Sequence, residues 1–250
     1  MKYGIATVCL LATLAAGAQT RIEKKVPVTK NTRLVMSFED PELIQVTTWD
    51  GNEVQINGMA SINNGENDAA FQLKVDQQAN EVHIESFLKD KENIPKRIMI
   101  KKGETEYFFE TSDQNDPQVQ KFLEENGRSY QYMSHGIIKK ITLEVKVPKN
   151  VETVIESKFG LVEVKNFQGS LTVNSKFGGV DASLSPRTTG ELIAKTRFGE
   201  ILTNLDISFD QNKKEFDHDH WTIVSAKPGA GPRYNFESKF GKVYLRKSEN

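Results

Sequence analysis

One short motif recurs four times and limits what this chain can fold into. Glu156-Ser157-Lys158-Phe159-Gly160, Asn174-Ser175-Lys176-Phe177-Gly178, Lys195-Thr196-Arg197-Phe198-Gly199 and Glu237-Ser238-Lys239-Phe240-Gly241 align without gaps as x-[ST]-[KR]-F-G. One free position after each Gly comes Val162, Val180, Ile201 or Val243. The Phe residues are 18, 21 and 42 residues apart, and the last gap is twice the one before it. A fixed period of about 20 residues is the mark of a repeat architecture, and the doubled gap implies one degenerate unit.

Within each unit the pattern alternates with period two, which predicts strands. Ile155, Ser157 and Phe159 share a face, as do Val173, Ser175 and Phe177, then Ala194, Thr196 and Phe198, then Phe236, Ser238 and Phe240. The opposite face carries Lys158, Lys176, Arg197 and Lys239. This reading puts the four Phe rings in the core as an internal stack and the four cations in water. Gly160, Gly178, Gly199 and Gly241 then break the strand, since a residue without Cβ can take positive φ and turn a corner. A second strand follows, as in Val162 and Val164. Two short strands per unit, stacked about 4.8 Å apart, predict an all-β fold of the right-handed parallel β-helix (β-solenoid) type. An antiparallel meander would favour Asn-Gly or Asp-Gly hairpin turns, and the repeat has Phe-Gly corners instead.

The first half carries fainter signs of the same grammar. Leu43 to Ile56 reads as strand, corner and strand around Asp50-Gly51, and Phe71, Leu73 and Val75 with Val82 and Ile84 read as a further coil. Residues 89–136 read as an insertion or end cap. They hold strand candidates at Arg97 to Lys101 and Glu106 to Glu110. They also hold one helix from Gln118 to Asn126, with Asp116 as N-cap, Pro117 at the first position and Gly127 past the end. Val119, Phe122 and Leu123 fall on one side of it. Ile141, Leu143, Val145 and Val147 alternate strictly and lead into the repeats.

Residues 1–18 read as a secretory signal peptide. Lys2 is the positive start, Ile5 to Leu14 is almost wholly apolar, and Ala16-Gly17-Ala18 is a cleavage site. The apolar run is short for a bilayer span, and no later stretch approaches 18 apolar residues. The only cysteine, Cys9, lies mid-run, away from a lipoprotein position, and leaves with the peptide. Residues 19–250 then form one domain with its clearest repeats at 151–247. With 33 basic against 34 acidic residues, the chain lacks the charge footprint of a nucleic-acid binder. Localisation follows as periplasm, outer surface or secreted.

Val147-Pro148-Lys149-Asn150-Val151 followed by strand–Gly–strand units such as Glu156 to Val164 and Asn174 to Ala182 resembles the putative adhesin family of bacterial extracytoplasmic β-solenoids, in a form typical of Bacteroidetes. The resemblance covers 138–247 well and 30–87 weakly. It implies a β-helical fold and a cell-envelope location, and no catalytic residue. The insertion 89–136 and the long segment 206–235 depart from it.

Candidate chemistry is sparse. Asp217-His218-Asp219-His220, near Glu215, has alternating imidazoles suited to Zn or Cu, but no spacing fixes a third ligand, so a solvated loop is the better reading. His83 and His135 stand alone. Trp49 and Trp221 are candidate sugar platforms. Lys158, Lys176, Arg197 and Lys239 recur once per unit and offer a shallow cationic strip for acidic glycans or another envelope polymer. No phosphate loop or Ser-His-acid pattern emerges. The sequence thus reads as a non-enzymatic adhesion or scaffolding module of unknown ligand, with no cofactor. Its expected partner is an envelope polysaccharide or protein. The alternatives are a glycan-active enzyme, which needs paired carboxylates across a groove, and an envelope signalling or assembly partner recognised through the insertion. Uncapped ends of such a stack invite self-association.

Overall fold

Alternating burial defines nearly every strand: Leu34, Met36 and Phe38 point inward between outward Arg33, Val35 and Ser37, and Ile141 to Val147 repeats the pattern. The structure, a computed structural model, describes residues 19–211 and 220–248. The signal-peptide reading of residues 1–18, including Cys9, lies outside them.

The first half supplies β1 (Thr20–Pro27), β2 (Arg33–Phe38), β3 (Leu43–Trp49), β4 (Glu53–Ile62), β5 (Phe71–Gln77), β6 (Glu81–Leu88), β7 (Arg97–Lys102) and β8 (Thr105–Phe109). Helix α1 (Pro117–Asn126) and strands β9 (Tyr132–Gly136) and β10 (Lys139–Pro148) follow. The repeats supply β11 (Glu152–Ser157), β12 (Leu161–Lys165), β13 (Leu171–Ser175), β14 (Val180–Leu184), β15 (Leu192–Thr196) and β16 (Ile201–Thr203). Last come β17 (Asp210–Gln211), β18 (Thr222–Ala226), β19 (Tyr234–Ser238) and β20 (Val243–Lys247). The described chain is therefore all-β, with a single α-helix.

Two large sheets share one core. The first runs β1-β4-β10-β3-β12-β14-β20-β16, and the second runs β17-β18-β15-β19-β13-β11-β2-β6-β5. Each contains six consecutive parallel strands: β10 to β16 in the first and β15 to β6 in the second. Each repeat unit places one strand in each sheet, joined at the Lys/Arg-Phe-Gly corner. Inward residues of both sheets meet in one cluster that includes Val46, Val162, Val180 and Val243 from the first and Met36, Ile155, Val173 and Phe236 from the second. Near-continuous parallel pairing with two-residue alternation is what the repeat predicts.

Three features differ from the sequence reading. The segment between Phe198 and Phe240 holds no degenerate unit among its described residues. Its strands β17 and β18 run antiparallel on the outer side of β15. The last unit, β19–β20, does not follow β15–β16 at the end of the stack. It lies between β13–β14 and β15–β16. Equivalent units satisfy the same neighbours in any order, so chain order does not dictate stacking order. In the first half only β2–β3 forms a repeat-like unit. β5 and β6 are an antiparallel hairpin, and β10 separates β3 from β4.

Between β6 and β10 the chain builds a second, smaller hydrophobic cluster. β8-β7-β9 make a three-stranded sheet, and α1 packs on it through Val119 and Leu123 against Ile98, Ile100 and Phe109. Phe122 meets Phe109 edge-on at 5.5 Å. Asp116 caps the helix by accepting from the Gln118 N–H at 2.8 Å, and Gly127 turns the chain away at φ 73°. Arg97, nearly buried, ties the element to the main body through a paired contact with Glu66 at 2.9 and 2.6 Å. That contact, opposed by desolvation, lowers the Glu66 pKa. No helix among the described residues is long and apolar enough to cross a membrane.

Candidate binding surface

The corner between the two sheets decides where the motif side chains go. Alternation holds through Ser157, Ser175, Thr196 and Ser238, all buried. The strands end at these residues, and the chain bends before the Phe can turn inward. Phe159, Phe177, Phe240 and Phe198 are consequently 48%, 45%, 43% and 56% exposed. They are not the internal stack that the periodicity predicts.

The corner itself stays in register. Lys176 N–H donates to Ser157 O at 2.8 Å and Phe177 N–H to Lys158 O at 2.8 Å. Lys239 N–H donates to Ser175 O at 2.9 Å, Phe240 N–H to Lys176 O at 3.0 Å and Phe198 N–H to Lys239 O at 2.9 Å. The rings therefore stack in the order 159, 177, 240, 198, with centroids 5.4, 5.2 and 5.1 Å apart and planes 13° from parallel. Each ring has a cation beside it. Lys158, Lys176 and Lys239 place Nζ 5.2, 5.1 and 5.5 Å from their ring centroids, and the Arg197 guanidinium lies 5.0 Å from that of Phe198. The structure thus brings all four residues of the sequence-derived cationic strip into one column and adds an aromatic ladder to it.

The four corner glycines are required by crowding. None takes positive φ, contrary to the turning role expected for them. A Cβ on Gly178 would collide with the carbonyl of Gly160, one on Gly241 with that of Gly178, and one on Gly199 with that of Gly241. Gly160 meets the carbonyl of Pro41 in the same way. Hydroxyls reinforce the column: Ser157 Oγ donates to Gly160 O at 2.9 Å, Ser238 Oγ to Gly178 O at 2.9 Å, and Thr196 Oγ1 to Gly241 O at 3.0 Å.

The ladder starts on an acidic corner that sequence reasoning missed. β2 and β3 join through Glu39-Asp40-Pro41-Glu42, in register with Lys158-Phe159-Gly160. Glu39 accepts from Lys158 at 2.6 Å and Lys91 at 3.2 Å, and buried Asp40 pairs with Lys139 and, at 3.5 Å, with Lys91. The Lys158 hydrogen bond outweighs desolvation and holds the Glu39 carboxyl below its usual range. Burial opposes the charge on Lys91, yet Asp40 and Glu39 still raise its pKa. The available signal was the alternation of Leu34, Met36 and Phe38, which ends as the repeat strands do.

Lys176 and Lys239 form no ion pair among the described residues. Unit charges one strand spacing apart, about 4.8 Å, repel by about 0.9 kcal/mol in bulk water, and an exposed cation–π contact returns about 0.5–1 kcal/mol. The four rings stay roughly half exposed along the column. Unbalanced positive charge in the column sits at Lys176 and Lys239, whereas Lys158 is paired with Glu39.

A groove of about 410 Å³ runs beside the column, and its charged lining is Lys158, Lys176 and Lys239 with Glu39, Glu85, Glu156 and Glu237. Glu156 accepts from Ser37 Oγ at 2.8 Å, and Glu237 pairs with Lys195 at 2.7 Å. These carboxylates lie two strands apart, with Asn174 between them.

The remaining candidates gather no site. Glu215, Asp217, His218 and Asp219 lie outside the described residues, and His220 is exposed at φ 50°. Among the described residues no group of three or more His, Cys, Asp or Glu is placed to hold a metal ion. His83 pairs with Glu81 at 2.7 Å, and His135 is exposed on β9. Trp49 folds over Gly51 and donates from Nε1 to Glu53 O at 3.0 Å, while Trp221 has Lys195 Nζ 5.6 Å from its ring.

No known protein family and no curated protein matches the chain. Among solved structures, one similar chain is a putative cell adhesion protein from Clostridium sporogenes. It is 9% identical, with 92% of this chain and 100% of that one covered and a TM-score of 0.44. Another is a putative adhesin from Bacteroides fragilis, 12% identical over 93% and 99% of the two chains, with a TM-score of 0.27. Scores this low establish neither a shared fold nor a shared role.

Proposed function

We propose that this protein is an exported, non-enzymatic adhesion or scaffolding module of the cell envelope. Residues 19–250 form one right-handed parallel β-solenoid interrupted by 89–136, and the corner column binds an acidic envelope polymer. The observation that carries this reading is the ladder of four exposed, stacked Phe rings with one cation at each ring. A linear polyanion laid along the column relieves the repulsion between Lys176 and Lys239. The half-exposed rings add apolar contact area along the same line.

The test is binding to immobilised acidic polysaccharide with Lys176→Glu/Lys239→Glu. Both side chains lie at the surface outside any described ion pair, so the fold should tolerate the change. We expect affinity to fall at least tenfold, and wild-type binding to weaken steeply between low and physiological salt. Unchanged affinity, or binding indifferent to salt, refutes the polymer assignment.

A further inference from the structure

We propose that the unit β19–β20 is exchangeable and joins two copies of this chain by entering the equivalent slot of a second copy. The inference is independent of the polymer reading.

The slot is defined by topology. β13–β14 and β15–β16 are consecutive in the chain, yet they are held apart by a unit that arrives some 30 residues after Thr203. β19 pairs in parallel with both walls in one register: Leu171, Tyr234 and Leu192 align, and so do Ser175, Ser238 and Thr196. β20 does the same between β14 and β16.

What holds the unit is almost entirely repeat pattern. Phe240 is sandwiched between Phe177 and Phe198, and Gly241 nests between Gly178 and Gly199. Its specific contacts reach only the slot and the neighbouring unit: Arg246 to Asp181 at 2.7 Å, Lys242 to Glu200 at 2.8 Å, and Tyr234 hydroxyl to Phe167 O at 2.7 Å. A second copy offers the same partners at the same positions.

The connection suits exchange. β18 is pinned antiparallel on the far side of β15, and the chain crosses back to β19 through Lys227-Pro228-Gly229-Ala230-Gly231-Pro232-Arg233. Two prolines favour extended backbone there, and seven extended residues reach about 23 Å. Withdrawal need not leave raw edges either. β13 and β15 share the pattern and direction of β19, so they can pair with each other, Phe177 against Phe198. Exchange of an identical element through such a hinge is a low-cost route to a dimer.

Engineered cysteines test this in full-length chain carrying Cys9→Ser, which removes the only native thiol. Asn174 and Glu237 are register partners on the outward face, within disulfide range for neighbouring strands. One preparation carries Asn174→Cys, another Glu237→Cys, and a third carries both. Gln72→Cys, exposed on β5, replaces Asn174→Cys in a collision control. After warm incubation and oxidation we expect the double variant to close within one chain. We expect the Asn174→Cys and Glu237→Cys mixture to give a disulfide-linked heterodimer at least tenfold above the control. A heterodimer yield no higher than the control, while the double variant closes, overturns exchange. Failure of the double variant to close overturns the slot itself.

Discussion

The crowding at the corner makes Gly241→Ala the sharpest probe of the stack. A Cβ there lies about 1 Å too close to the carbonyl of Gly178, because nothing nearer than 3.0 Å is tolerated. The corner must open by about that much. Four bonds cross it: Phe240 N–H to Lys176 O at 3.0 Å, Lys239 N–H to Ser175 O at 2.9 Å, Val180 N–H to Lys242 O at 3.0 Å, and Ser238 Oγ to Gly178 O at 2.9 Å. Three of these stretched by about 1 Å cease to be hydrogen bonds, at about 1 kcal/mol each. Alanine recovers up to about 1 kcal/mol by restricting the unfolded chain. The net loss is about 2 kcal/mol, or roughly 4–8 °C in Tm for a chain of this size. Urea unfolding followed by circular dichroism measures it. The control is Gly103→Ala at φ 62°, where a Cβ meets nothing within 4 Å and only left-handed backbone strain of about 1 kcal/mol remains. If Gly241→Ala unfolds within about 0.5 kcal/mol of wild type, or if Gly103→Ala costs more, the close-approach argument is wrong.

Tyr234→Phe should cost about 1 kcal/mol by removing the donor to Phe167 O. Burial pushes the Tyr234 phenol up to about 12, so in an alkaline absorbance titration one of the six tyrosines should ionise last, and the variant should lack that phase. Asp116→Ala should cost about 1 kcal/mol, expressed locally. Amide exchange should quicken at Gln118 to Gln120 and stay unchanged in β13, and equal quickening in both would contradict a separate insertion core. The Glu39 pKa is lowered in the folded protein, so its contribution is present above the ordinary carboxylate range and is lost as pH falls through the folded value. Wild type should therefore lose more stability between pH 7 and pH 3 than Glu39→Gln does, and equal losses would remove Lys158–Glu39 as a contributor.

Local structure was legible in the sequence wherever one periodicity ruled. The strands around Ile141 and Ile155, the Asp116 cap and the Val119–Leu123 face all follow from spacing. The Phe residues misled because period two was extended past Ser157, where the strand had already ended, and two residues of extrapolation invert a side chain. The acidic corner lacked Phe and Gly, so no motif flagged Glu39 or Asp40. Stacking order was illegible for a deeper reason: units that share a pattern are interchangeable partners, and only the long-range path of the chain distinguishes β13–β19–β15 from β13–β15–β19.

That path has a consequence for how the molecule comes into being. A ribosome makes β13 to β16 well before β19, and during that interval the two walls can pair with each other as a shorter, internally consistent stack. The native arrangement then requires them to part again for the late arrival. Assembly should therefore show a slow late phase set by that reopening, faster in a circular permutant that delivers residues 234–247 between β14 and β15.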